Sequence, residues 1–181
     1  MPHTQTHEAA LVLGVDPGTA ITGYGIVRFD GEVLDPVTYG VITTPAASPL
    51  PLRLQRLYRE LRTVIQTYHP TEASVEELFF ARNARTALSV GHARGVILLA
   101  LADAGLPIHG YTPLEVKNAI TGYGRASKEQ MQEMVRLLLR LESIPQPDDA
   151  ADALAVAICH AHSSTGVTRL TGGKQGQEGE T

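Results

Sequence analysis

Residues 11–25 read LVLGVDPGTAITGYG, and the fold turns on how that stretch is parsed. The apolar run from Leu11 to Val15 stops at Asp16. Pro17 and Gly18 follow as a turn signal, and Ile21 to Val27 resumes in β-branched and aromatic composition,. The stretch is a strand, a tight turn and a second strand. Asp16 stands where a buried strand gives out, so a rigid element holds its carboxylate at an edge. An Asp before Pro-Gly is also ordinary turn chemistry. Asp16 therefore acquires meaning only through other acids in the chain.

Working outward, strands are expected over 11–16, 21–29 and 33–43, the second and third joined by the Asp30-Gly31 turn,. Leu52, Leu54, Leu57, Leu61, Val64, Ile65 and Tyr68 have helical spacing, with arginines on the other face, and Pro70 ends that helix,. A fourth strand, Glu72 to Phe79, carries Glu76 and Glu77. Asn83 to Ala104 is the longest expected helix. Its small residues Ala84, Ala87, Gly91, Ala93 and Gly95 allow another backbone close approach. A short strand over Pro107–Tyr111 leads to a helix opened by Thr112-Pro113,. TGYGRA, residues 121–126, is a glycine-broken loop. Ser127 with Gln130 is a capping box that starts a helix to Leu141,. Pro145 to Pro147 breaks the chain before a last helix from Asp148 to His162. The order implies an α/β fold, an antiparallel meander extended by parallel strands through helical crossovers. Residues 1–10 are expected to be a flexible leader, 11–162 one domain and the Gly/Ser/Gln-rich 163–181 a disordered tail,.

The 181 residues suffice for one domain with a sizeable core, and 43% hydrophobic content suits a globular chain,. No apolar run is long enough to span a bilayer, and the first ten residues lack the apolar segment of a signal peptide,. The single cysteine, Cys159, excludes an internal disulfide and fits a reducing cytoplasm,. It is expected to be a buried small hydrophobe. The net charge of −4 conceals an asymmetry: residues 82–140 hold eight basic and four acidic side chains, so the middle carries +4 and the remainder −8.

Asp16 and Glu76 reach the same sheet edge if their strands are parallel, the edge where ligands of open α/β sheets bind. Asp149 and Asp152 are three apart on the last helix and share a face, as do Asp148 and Asp152, four apart,. Acidic residues at a helix start also serve as caps and favour the dipole. Carboxylates that converge in one site raise one another's pKa values. A divalent cation with hard oxygen ligands removes that penalty and can activate water against a phosphodiester. Glu77 is expected to point away from Glu76, because strand side chains alternate. His160 and His162 lie too late on the last helix to be read as metal ligands.

Four blocks, GVDPGTAITGYG, SVEELFFARNARTALSVGHARG, VKNAITGYGRASKEQM and DDAADALAVAICH, together resemble the RuvC Holliday junction resolvases, over about Leu11 to His162. That resemblance implies a ribonuclease H-like fold, with a mixed five-stranded sheet flanked by helices. It implies a nuclease of DNA recombination and repair that nicks two junction strands symmetrically. Its hydrolysis would leave a 5′-phosphate and a 3′-hydroxyl. The catalytic and metal-binding acids would be Asp16, Glu76, Asp149 and Asp152, holding two Mg²⁺ ions that Mn²⁺ can replace. Phe79 matches an aromatic that stacks on a junction base. Lys117 and Lys128 match lysines at the DNA, with Arg125 between them in the glycine loop. The implied partners are four-way junction DNA, a second copy of the chain, and the RuvA and RuvB branch-migration proteins. Asp148 beside Asp149 departs from the family pattern and leaves open which carboxylate faces the metal. Three rival readings are an ATPase of the actin, sugar-kinase and heat-shock-seventy superfamily, a nuclease for RNA–DNA hybrids, and a silent DNA-binding module.

Overall fold

The computed structural model describes residues 9–77 and 84–171. The strands are β1 (Ala10–Asp16), β2 (Ile21–Phe29), β3 (Leu34–Thr43), β4 (Glu72–Glu76) and β5 (Ile108–Tyr111). The helices are α1 (Leu50–Tyr68), α2 (Ala84–Asp103), α3 (Pro113–Thr121), α4 (Lys128–Leu138) and α5 (Asp148–Thr171). The sheet order is β3-β2-β1-β4-β5. β1, β2 and β3 pair antiparallel, and β4 and β5 join β1 in parallel. This is the meander with parallel crossovers expected from the strand and helix order. Gly31, at φ 103°, takes the left-handed turn after Asp30 that a residue without Cβ adopts freely,.

Alternation along each strand divides the core in two. Leu13, Val15, Ile26, Ala73 and Val75 pack beneath α1 and α2 with Leu57, Leu61, Ile97 and Leu101. Val12, Val27 and Phe29 pack on the other face with α3, α4 and α5, against Leu154 and Ile158. The same alternation puts Asp16, two residues beyond Gly14, on the α5 face. α5 lies tight there because glycines face alanines. A Cβ on Gly14 would stand 2.1 Å from the Ala153 carbonyl oxygen, and one on Gly23 would stand 1.9 Å from that of Asp149. Gly23 is the register partner of Asp16. The absence of a side chain at Gly23 thus sets how near the start of α5 comes to Asp16. Gly23→Ala is expected to destabilise the fold by about 1–3 kcal/mol, the usual range for overpacking. Urea unfolding measures it, and unchanged stability would contradict this packing.

α5 runs past the expected end at His162 to Thr171. The first part of the segment expected to be disordered is therefore helical, a continuation that the Ser-Ser-Thr-Gly run at 163–166 conceals from propensity,. The long helix α2 begins at Ala84 and has one buried row, Ala93, Ile97, Ala100 and Leu101. Its opposite row is open: Leu88 is 63% and Leu99 55% exposed. Nothing approaches the position of a Cβ on Gly95. The small residues of α2 therefore do not all mark contacts within one chain. No helix among the described residues is long and apolar enough to cross a membrane.

Candidate active site

Asp16 and Glu76 are the last residues of β1 and β4, neighbouring parallel strands paired through Val15 and Val75. Their carboxyls share a hydrogen bond. Burial, followed by the charges of Glu76 and Asp152, the hydrogen bond with Glu76 and the charge of Asp149, pushes Asp16 up to about 8. Burial also raises Glu76; the hydrogen bond to Asp16 opposes the rise and the charge of Asp152 adds to it. The end of β4 is tied down on its other side, where Arg94 of α2 donates to the Glu76 carbonyl at 3.3 Å.

The acids of α5 divide between two environments. Lys128 places its ammonium 3.1 Å from Asp148 and 3.3 Å from Asp152. It stands at the first position of α4, held by the expected capping box. Gln130 N–H donates to Ser127 Oγ at 3.3 Å, and Ser127 N–H donates to Gln130 Oε1 at 2.9 Å. Hydrogen bonding to Lys128 lowers the half-buried Asp148. Partial burial works against the charge on Lys128, but Asp148 and Asp152 outweigh it and raise its pKa. Burial raises Asp152 despite Lys128, and the charges of Asp149 and Asp148 add to the rise. Asp148 is thus engaged by Lys128. Asp149 adds to the negative field at Asp16 and lines the groove beside Gly18 and Thr19. The tertiary structure separates two carboxylates that helix spacing left equivalent.

Two grooves flank these acids. One, of about 230 Å³, is lined by Glu76, Asp152, Lys117, Lys128, Val116 and Met131. The other, of about 600 Å³, is lined by Gly18, Thr19, Arg53, Ser89, Val90 and Asp149. Glu77 turns away as alternation requires: its N–H donates to the Tyr111 carbonyl at 2.8 Å, and its side chain lies over Gly110. Lys117 and Lys128 come together with the acids. Arg125 is exposed on the loop between them and lines neither groove. Phe79 lies outside the described residues. Cys159 is buried, and burial pushes its thiol up to about 11, which suits a packing residue rather than a nucleophile.

Two features escaped the sequence reading. Arg53, counted there among the solvent-facing arginines of a helix, donates from Nε to Thr44 Oγ1 at 2.9 Å and faces the larger groove. No local signal distinguishes it from Arg56 or Arg59. Thr112 and Glu115 form a full capping box at the start of α3, the helix that carries Lys117. That Thr-x-x-Glu signal was present in the sequence beside the proline,.

Comparison with known proteins places these residues in context. A family model described as crossover junction endodeoxyribonuclease RuvC matches residues 12–160. A crossover junction endodeoxyribonuclease RuvC from Desulfitobacterium hafniense is 57% identical over 162 residues, 90% of this chain and 98% of that protein. One from Chloroflexus aurantiacus is 59% identical over 158 residues, 87% and 96% of the two chains. Among solved structures, T. thermophilus RuvC in complex with Holliday junction substrate superposes with a TM-score of 0.84 at 36% identity, covering 88% of this chain and 97% of that one.

Proposed function

The chain belongs to the RuvC family of crossover junction endodeoxyribonucleases, and from that premise we propose that Asp16, Glu76, Asp149 and Asp152 form its catalytic centre, a Mg²⁺ site that hydrolyses phosphodiesters of a Holliday junction. The observation that carries this reading is the meeting of acids from β1, β4 and α5 at one sheet edge, with Asp16 pushed up to about 8 by burial and by its neighbours' charge. Carboxyls raised in this way call for a cation. The donors are all oxygens, which suits Mg²⁺. A cationic group already stands at the edge of the site, the Lys128 ammonium 3.3 Å from Asp152. Bound in the site, the metal ions would activate water and stabilise the leaving oxygen.

The protein's own residues do the rest. Asp16 must give up the proton it shares with Glu76 before both can act as ligands. Gly23 and Gly14 let α5 bring Asp149 and Asp152 to them. Lys117 and Lys128 line the smaller groove with Glu76 and Asp152 and would contact the phosphates of a strand passing the acids. Arg125 contributes from the exposed loop and Phe79 offers an aromatic face to an unpaired base. The deciding experiment is cleavage of a synthetic four-way junction with and without Mg²⁺, beside linear duplex and an RNA–DNA hybrid. Junction-selective, metal-dependent cutting is expected; equal cutting of the hybrid would favour the ribonuclease reading.

Two further results are expected. Asp149→Asn should slow single-turnover cleavage far more than Asp148→Asn, because Asp148 is already neutralised by Lys128. Equal losses would put both carboxylates at the metal. Lys128→Ala should weaken junction binding and reduce the magnitude of the salt slope by roughly 0.9, the value for one phosphate contact on duplex DNA. An unchanged slope would confine Lys128 to its carboxylate partners.

A homodimer belongs to the same proposal. One acidic centre makes one incision, whereas a junction requires two related by symmetry. The open row of α2, Leu88, Gly95 and Leu99, offers apolar area that a second copy would cover,. RuvA and RuvB are the further partners that family membership implies.

A further inference from the structure

The middle of α5 gathers a second set of titratable side chains. Glu72 opens β4, His109 lies on β5 and His160 on α5. One ligand atom from each lies within 4.8 Å of the others, the only such group among the described residues. His160 is 2% exposed, with Nε2 at 2.5 Å from Glu72 Oε2 and Nδ1 at 2.7 Å from the Tyr111 hydroxyl. The exposed His109 stacks on it, ring centroids 4.3 Å apart. His160 follows Asp152 by eight residues on α5, about 12 Å along a helix. The group is therefore separate from the acidic centre.

We propose that Glu72, His109 and His160 form a second metal site, for a zinc-like transition cation rather than Mg²⁺. Two imidazoles and one carboxylate, with water in the fourth position, are a zinc ligand set. Imidazole selects zinc or cobalt over magnesium. The Tyr111 hydroxyl engages Nδ1 of His160, which leaves Nε2 to ligate, the outer-shell support that metal-bound histidines require. The imidazole carries its own proton on Nδ1, donated to the Tyr111 hydroxyl oxygen,; the further proton shared by Glu72 and Nε2 leaves to solvent on binding and the cation takes its place,. His109, free at the surface, turns from its stacked position to supply the third ligand. Such an ion would cross-link β4, β5 and α5. The other end of β4 carries Glu76 and the first turns of α5 carry Asp149 and Asp152, so the link fixes the elements that hold the acids.

Equilibrium dialysis of the full chain against Zn²⁺, with Mg²⁺ in large excess to occupy the acidic centre, tests this independently of cleavage. One Zn²⁺ per chain is expected, accompanied by a rise in Tm. Glu72→Gln keeps the shape of the side chain, and His109→Ala alters only an exposed one. Each should weaken Zn²⁺ binding at least tenfold while leaving the far-ultraviolet dichroism unchanged. His92→Ala, and the double change His3→Ala with His7→Ala, should leave binding intact. The proposal is overturned if no Zn²⁺ binds under excess Mg²⁺, or if the bound ion survives both Glu72→Gln and His109→Ala. In either case the trio is a hydrogen-bonded core histidine and its neighbours.

Discussion

Asp16→Asn is expected to abolish junction cleavage and to leave junction binding intact. Loss of an outer-shell partner alone costs a metal site roughly 10–100-fold, so losing a proposed ligand should exceed about a hundredfold. The amide keeps the shape of the side chain and its place at the end of β1. The same substitution should stabilise the metal-free protein at neutral pH. Asp16 is raised from 3.8 to about 8, so between those values the folded chain holds a proton that the unfolded chain has released,. Stability of the metal-free protein should therefore fall as pH rises from about 4 to about 8, and level off above that. Asn at this position removes the part of that dependence that Asp16 carries, leaving the shares of Glu76 and Asp152. Thermal melts of both proteins across this range, with chelator present, measure the slope, and single-turnover assays measure the cleavage. Residual cutting near the parental rate would remove Asp16 from the metal site. A parallel slope in both proteins would mean that another group carries the proton.

The second large effect is expected from mixed dimers in which one subunit carries Asp16→Asn. On a cruciform plasmid the intact dimer should yield linear product, because both incisions fall within one binding event. The mixed dimer should yield mainly nicked circles. The expectation rests on the open row of α2, where Leu88 and Leu99 are more than half exposed with Gly95 uncovered between them. Charged residues at both leucines should shift the protein to a monomer by sedimentation, with the fold retained, since neither belongs to the buried row. A monomer at assay concentration that still linearises the plasmid in one event would refute the dimer.

The order of the elements is legible in the sequence, because strand and helix periodicities are local. Asp30-Gly31, Pro70, Ser127 and Gln130 punctuate the chain within a few residues of the observed boundaries. The sequence also placed Asp16 and Glu76 at one edge on condition that their strands run parallel, a pairing that the structure supplies. The four blocks that carry the family resemblance are contiguous in the chain and so readable without coordinates. The tertiary structure alone decided what depends on side chains from distant elements. It separated Asp148 from Asp149 by bringing Lys128 across from α4. It set Arg53 in a groove that its helical spacing does not reveal. It carried α5 past a polar run to Thr171. It also joined Glu72, His109 and His160, far apart in the chain. A histidine late on an apolar helix carries no signal in its own neighbours; its meaning comes from the strands beneath it, and only folding brings those strands there.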